Sequence, residues 1–594
     1  MAALKPVIYQ LLPRLFTNYC EAPIAGGTLE QNGSGKLNDI NEDILASIKA
    51  LGATHVWYTG VIEHGHNADY TAFGIPRHNP HVIKGKAGSP YAITDYYDID
   101  PDLAVNVPER MKEFEALVKR THDAGLKVLI DFVPNHVGRQ YSSDAKPSGI
   151  EDFGARDNRE MFFSPSNNFY YIPHQQFAPH IDLGSGKDAY VEFPAKATGN
   201  DCFTAFPGAN DWYETVKLNY GVDYFNRSEH FDPVPDTWFK MLHILRYWAS
   251  KGIDGFRCDM AFMVPLAFWH WAIPQVKSHF PDVAFIAEIY DVNLYRPFIE
   301  YGGFDYLYDK VNLYDTLRAI ETQNHSAAML TNCWQTIDGI QSRMLNFLEN
   351  HDEQRFASAF YAGDPWRAIP SLVVSTMMST GPMMIYFGQE LGEPGADAEG
   401  FSGHDGRTTI FDYWSVSSVR RWLNHGKCRG VLADDERRLR SVYSQILNLA
   451  NSEAAIAEGS FFDLMYVNYE NPALNPHRHY AFLRCSGDDI LLIAVNFSDS
   501  DAEMGINIPA HAFSFLSLPE GVDQGARELL GGAVEPKNFS SSTPFSTKVR
   551  AHGAAIWKLS RNRIESPRPL LRKAAPKSAA KPKTAKNKKN QSNK

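Results

Sequence analysis

The sequence predicts an α/β protein built on a closed (β/α)8 barrel, and three observations predict it. Short apolar runs alternate with amphipathic helical patterns through about residue 135 and again from 227 to 452. Eight such runs precede a change to period-two patterning. Polar residues able to do chemistry stand directly after four of the eight, and in a closed barrel those ends share one rim.

In chain order, Val7–Phe16 reads as a strand, Asp39–Ala50 as a helix and Thr54–Tyr58 as a strand. Pro108–Ala124 repeats apolar residues at spacings of three and four (Met111, Phe114, Leu117, Val118), so it reads as a helix ahead of a buried strand at Lys127–Phe132. From 139 to 226 the chain is rich in Ser, Pro, Asn, Tyr and Phe with no long helical period, which predicts an irregular subdomain inserted after the third strand. The rhythm resumes with a helix at Thr237–Ser250 and a strand at Gly252–Arg257. Further strands are expected at Val283–Ala287, Phe304–Leu307, Met344–Leu348 and Met383–Phe387, and a helix at Glu436–Leu449.

Beyond this helix, Tyr480–Arg484 and Ile490–Phe497 read as a hairpin joined through Cys485–Asp489. With Ala555–Leu559 they predict a C-terminal antiparallel β-sandwich domain. The expected organisation is therefore a barrel over 1–138 and 227–452, an inserted subdomain over 139–226, a β-sandwich over 453–562 and a disordered basic tail over 563–594.

Composition narrows the function. Of 594 residues, 44% are hydrophobic and 13% aromatic, which excludes a disordered or collagen-like chain, and no apolar run is long enough for a membrane span. The net charge is −11, yet Arg568–Lys594 holds ten Lys/Arg and no acid, leaving about −21 on residues 1–567. So acidic a body repels phosphates, and no specific nucleic-acid partner is expected; the tail could bind anionic surfaces weakly. Six scattered cysteines without a CxxC pair exclude a zinc ribbon or disulfide scaffold and suit a reducing compartment. The start MAALKPVIYQLLPRLF lacks the layout of a secretory signal, and a cytoplasmic location is the expectation.

Four segments carry the chemistry: Asp131, Asn135 and His136 after Val128–Ile130; Arg257 and Asp259 after Ile253–Phe256; Glu288 after Phe285–Ala287; His351 and Asp352 after Phe347–Leu348. One such residue would be read as a helix cap or turn residue. Four together on one rim are not explained by packing. In order and spacing, DFVPNH at 131–136, GFRCD at 255–259, AE at 287–288 and NHD at 350–352 resemble the four signatures of the α-amylase family of glycoside hydrolases. GPMMIYFGQE at 381–390 resembles its last-strand segment, and SPYAITDYYDIDP at 89–101 resembles the segment that brings a ring to the sugar.

The resemblance implies a retaining hydrolase on a TIM barrel. Asp259 would be the nucleophile, Glu288 the general acid, and Asp352 the acid that grips sugar hydroxyls. It implies that Arg257 holds Asp259 ionised, that His136 and His351 hydrogen-bond the sugar, and that Tyr91 lies under it as a platform. Crowding by Ile289 is expected to favour protonated Glu288. Asp131 is expected to brace Arg257 or His136, and Cys258 to pack on the far face of its strand.

The sequence departs from the family at two places that bear on function. Phe262 and Met263 replace the Lys and His that endo-acting amylases carry three and four residues after the nucleophile, which shifts the expected substrate towards shorter oligosaccharides. The family's calcium site uses the residue matching Asn135 and an Asp whose place is taken by Lys217; an ammonium cannot ligate Ca²⁺, so no metal or other cofactor is expected. Three functions remain in play: hydrolysis of α-glucosidic, chiefly α-1,4, bonds in maltooligosaccharides or related glucans; transglycosylation through the same covalent intermediate; and an inactive glucan-binding scaffold. The intact trio Asp259, Glu288 and Asp352 argues against the last.

Overall fold

Eight parallel strands close into a barrel: β1 (Val7–Leu11), β2 (His55–Tyr58), β3 (Lys127–Phe132), β4 (Gly255–Cys258), β5 (Ala284–Ala287), β6 (Tyr306–Tyr308), β7 (Met344–Phe347) and β8 (Met383–Tyr386). Neighbours in sequence are neighbours in the ring, and closure comes from β1, which pairs with β2 through Ile8↔His55 and with β8 through Val7↔Met383. The structure, a computed structural model, describes residues 5–428, 430–560 and 564–565. The strands are buried almost throughout, as expected for parallel strands covered on both faces.

The helices around the barrel follow local chemistry. Glu42–Leu51 (α1) opens on Asn41, whose side chain accepts the Ile44 N–H at 3.1 Å, and buries Ile44, Leu45, Ile48 and Leu51 at helical spacing. It ends at Gly52, whose φ of 115° suits glycine alone. Arg110–Asp123 (α2), Asp236–Ser250 (α3) and Asp434–Ser452 (α6) match the expected periodicities to within a few residues, and Leu266–Lys277 (α4) and Ala368–Met377 (α5) fill the ring between them.

Three expectations need correction at their edges. The run Val7–Phe16 is a strand only to Leu11, because Pro13, with no N–H to donate, opens a short helix over Pro13–Phe16. The run expected from Gly252 pairs only from Gly255, since Gly252 lies in the left-handed region after α3. The sixth strand is Tyr306–Tyr308 rather than Phe304–Leu307; the Phe304 ring instead packs on Trp269.

Between β3 and α3 the described chain forms no α-helix, only two- and three-residue strands and turns. Its interior is organised by Arg139, whose guanidinium pairs with Glu192 at 2.7 Å, donates to the Tyr213 and Thr215 carbonyls and lies on the Phe177 ring. The segment returns to the barrel as a ribbon in which His136–Gly138 pairs antiparallel with Thr215–Lys217, placing His136 opposite Lys217.

The C-terminal part is an antiparallel β-sandwich. One sheet contains Ser460–Asp463 (β9), His479–Ser486 (β10), Asp489–Asn496 (β11), Gly521–Glu528 (β13), Val534–Phe539 (β14) and Gly553–Ser560 (β16); the other pairs Ala502–Ile506 (β12) with Phe545–Val549 (β15). The expected hairpin is longer than predicted: Ser486 pairs with Asp489 across a turn opened by Gly487 at φ 56°. Trp557 bridges the two sheets through its ring contact with Phe545 and its bond to Thr547. Ile564–Glu565 pairs with Val522–Asp523, so pairing runs two residues into the stretch expected to be tail; the remainder of that expectation, 566–594, lies outside the described residues. Arg484 on β10 locks the sandwich to the barrel by donating to the carbonyls of Met378, Ala455, Ile456 and Gly459. Among the described residues, no helix is long and apolar enough to cross a membrane.

Candidate functional site

The carboxyl ends of β3, β4, β5 and β7 meet at one rim and line a cleft of about 820 Å³. Tyr91, His136, Asp259, Glu288 and Asp352 all face it; Arg257 and His351 lie directly beneath as the groups those side chains bond to. Seven residues singled out from the sequence are thus brought together, from segments up to 261 positions apart.

Arg257 is the hub. Its side chain rises from β4, where it is in register with Asp131 on β3. Nη1 bonds Asp259 Oδ1 at 2.7 Å, and Nη2 reaches Glu288 Oε1 at 2.8 Å. Nη1 lies 3.5 Å from Asp131, whose other oxygen accepts from Trp57 Nε1 at 3.1 Å and the Gly60 N–H at 3.3 Å. Asp131 therefore braces Arg257, not His136. The guanidinium is also surrounded by the rings of Trp57, Tyr91 and Tyr308 at 5.4–5.5 Å, which stabilise a desolvated cation.

Burial and the neighbouring Glu288 push the Asp259 carboxyl well above its usual range, against the opposing pull of Arg257. The Arg257 guanidinium on Asp259 Oδ1 works in the direction expected, favouring the ionised form against burial. Asp352 is pushed up to about 7, again by burial and then by Glu288. Burial, with Lys217 and Lys84 nearby, pushes His136 down to about 3, so it is a neutral ring at ordinary pH.

Ile289, next to Glu288 in the chain, is fully buried. Glu288 accepts two hydrogen bonds, from the Met260 N–H at 2.7 Å and the Tyr290 hydroxyl at 2.5 Å, and forms an ion pair with the Arg257 guanidinium at 2.8 Å. Met260 can aim its N–H there because its backbone lies in the left-handed region at φ 43°, a strained conformation for a non-glycine residue. Neither residue was found from the sequence. Tyr290 had a signal, since two residues after Glu288 is the same side of an extended segment; the turn at Met260 had none.

His351 is fixed from both sides. Gln10 Nε2 donates to its Nδ1 at 2.8 Å, so Nε2 carries the proton, facing the Tyr91 hydroxyl at 2.5 Å and Asp352 Oδ2 at 3.1 Å. The Tyr91 ring stacks on the imidazole with centroids 5.2 Å apart. The remaining walls, which the sequence did not mark, carry the aromatic rings of Trp212, Tyr213, Phe401 and Phe411 beside the polar Lys84, Asn210, Glu214 and Asp412. Phe262 packs against Tyr290, whereas Cys258 is buried as expected.

At Asn135, the residues present do not fit a calcium ion. The Lys217 ammonium donates to Asn135 Oδ1, pairs with Asp201 at 2.6 Å and reaches the Met263 carbonyl at 3.2 Å. A cation there would have to share these oxygens with a fixed positive charge.

Fold and rim together define a parallel βα barrel with an acid-lined cleft at its C-terminal face, the layout of barrel enzymes. The α-amylase catalytic-domain family model matches residues 10–421, and the chain belongs to the α-amylase family. It is 25% identical over 529 residues to an α-amylase of Streptomyces lividans, covering 81% of this chain and 52% of that protein. It is 23% identical over 406 residues to neopullulanase 2 of Thermoactinomyces vulgaris, covering 66% and 57%. The chain thus spans little more than half the length of these relatives. Among solved structures, a maltogenic α-amylase from Thermotoga neapolitana shares the fold with a TM-score of 0.60 at 18% identity, covering 94% of this chain and 99% of that one.

Proposed function

We propose that this chain is a retaining enzyme of α-glucosidic bonds, acting by hydrolysis on maltooligosaccharides or related glucans. The observation that carries the reading is the single guanidinium of Arg257 hydrogen-bonded to Asp259 and ion-paired with Glu288, with Asp352 in the same cleft. Two carboxyl groups held as neighbours suit the short separation, about 5–5.5 Å, of a double displacement.

In the first step Asp259 attacks the anomeric carbon while Glu288 gives its proton to the departing glycosidic oxygen, and the sugar is left as an ester on Asp259. In the second, Glu288 takes a proton from water as the water oxygen attacks that carbon and releases Asp259. Entry of the glycosidic oxygen displaces Glu288 from part of its donor set. Asp352 and the Nε2–H of His351 take sugar hydroxyls, His136 closes the opposite side, and Tyr91 offers its ring to the sugar's C–H face.

A second reading, transfer of the sugar to another sugar, is favoured by one observation. Phe262 packs beside Tyr290 next to the acid, and aromatic rings stand in the walls of the cleft, surfaces on which a sugar acceptor can compete with water. A product time course on defined maltooligosaccharides separates the two. Products only shorter than the substrate support hydrolysis, and products longer than the substrate support transfer. No turnover of any α-glucoside by the folded chain overturns both.

A further inference from the structure

Away from the cleft, the ribbon of Ile62–His64 and Ile93–Ile99 gathers carboxylates on one side. Glu63 pairs directly opposite Asp95, so like charges share one face, which by itself is destabilising. Asp98 follows on the same strand. Asp144 arrives from the segment after β3 and is held there by Asp95, which accepts the N–H groups of Asp144 at 2.9 Å and Ala145 at 3.0 Å.

One carboxylate oxygen from each of Glu63, Asp98 and Asp144 lies within 4.8 Å of the other two. The one cation that pairs with this trio among the described residues is Arg110, 2.5 Å from Asp98 and 4.0 Å from Glu63; one guanidinium against three carboxylates leaves the group net negative, whereas at Asn135 the Lys217 ammonium already balances Asp201. The Glu63 side chain is 1% exposed, yet its Oε2 has no hydrogen-bond partner. A buried oxygen left without a donor is costly, and here it is directed into a ring of other acceptors.

We propose that Glu63, Asp98 and Asp144 bind one divalent cation of the Ca²⁺ class. Ca²⁺ takes about six to eight oxygen ligands at about 2.3–2.6 Å in flexible geometry, which suits three carboxylate oxygens within 4.8 Å of one another completed by water, whereas Mg²⁺ demands near-ideal octahedral geometry at about 2.0–2.1 Å. Glu63 and Asp98 supply the buried side, and exposed Asp144 leaves the other open for water ligands and for entry. The ion would join the segment beginning two residues after Tyr91 to the segment after β3, bracing the platform residue from outside the cleft. The site is separate from Asn135 and Lys217.

The test is calorimetric titration of the chelator-stripped full chain with CaCl₂, with MgCl₂ as a second arm, alongside thermal unfolding. The expected result is one Ca²⁺ per chain, bound at least tenfold more tightly than Mg²⁺, with a raised melting midpoint. Asp144→Asn, a change at an exposed position, is expected to weaken binding tenfold or more. Glu63→Gln should abolish binding and raise the ion-free midpoint. No uptake at millimolar Ca²⁺, or uptake unchanged in Asp144→Asn, overturns the proposal. So does uptake lost in Asn135→Ala but retained in Asp144→Asn. If Glu63→Gln fails to fold, Asp144→Asn alone decides.

Discussion

The Nζ of Lys217 stands 2.6 Å from Asp201 and donates to Asn135, so one ammonium ties the inserted segment to the loop after β3. Removing it leaves buried acceptors facing one another. Lys217→Met is expected to destabilise the chain by about 3 kcal/mol, the low end for breaking a buried pair because Asp201 is partly exposed. Urea unfolding of the full chain measures it. In the Asp144→Asn background, turnover should be equal in EDTA and in calcium; loss in EDTA restored by calcium would show an ion bound despite Lys217.

Asp259→Asn keeps the shape and removes the nucleophile. The expected outcome is a fall in kcat of at least about 10³-fold with the fold intact. A loss below tenfold on a natural glucan would remove Asp259 from the role proposed for it.

Tyr290 is expected to act as a positioning residue for Glu288. Tyr290→Phe deletes the hydroxyl's hydrogen bond to Glu288, worth about 0.5–1.5 kcal/mol, so kcat should drop roughly 2- to 10-fold while KM changes little. The same variant should move the kcat pH profile, whereas a purely structural role for the hydroxyl would leave its limbs in place.

The raised carboxyls set the acid limb. A group held up to about 7 carries its proton below that pH, so kcat/KM is expected to fall as pH drops through about 7, where Asp352 is neutralised. Stability has the opposite sign for this residue. Folded Asp352 binds a proton that the unfolded chain, titrating near 4, has released, so its ionisation costs stability as pH rises from about 4 to 7. Asp352→Asn should therefore be inactive yet more stable than the parent at pH 7. Melting curves across that range check it.

His136 contributes a stability slope of the other sign. It is held down to about 3 in the fold and titrates near 6.5 when unfolded, so the unfolded state takes up the extra proton between those values. Stability should fall on acidification through this window, and His136→Gln should flatten that part of the profile.

The barrel was legible because its strands are buried on both faces: runs such as Lys127–Phe132 and Met383–Phe387 admit few other readings. The polar residues gathered at the cleft were legible because they follow such runs closely, whereas Tyr91, which follows none, was legible only through the family resemblance of 89–101. What stayed hidden depends on tertiary geometry. The hydroxyl of Tyr290, the left-handed turn at Met260 and the walls at Trp212 and Phe401 become meaningful only when loops fold over the rim. The same holds for Glu63 and Asp144, 81 positions apart, which no local pattern connects.

Pairing of Val7 with Met383 has a consequence for how the molecule is made. During synthesis at about 5–20 residues per second, β1 waits some 20–75 s for the strand that completes its ring. Throughout that time the nascent sheet presents an open parallel edge, an invitation to wrong pairing. The strands that carry Asp259 and Glu288 emerge within this interval, so the chain translates its chemistry well before it can close the scaffold beneath it.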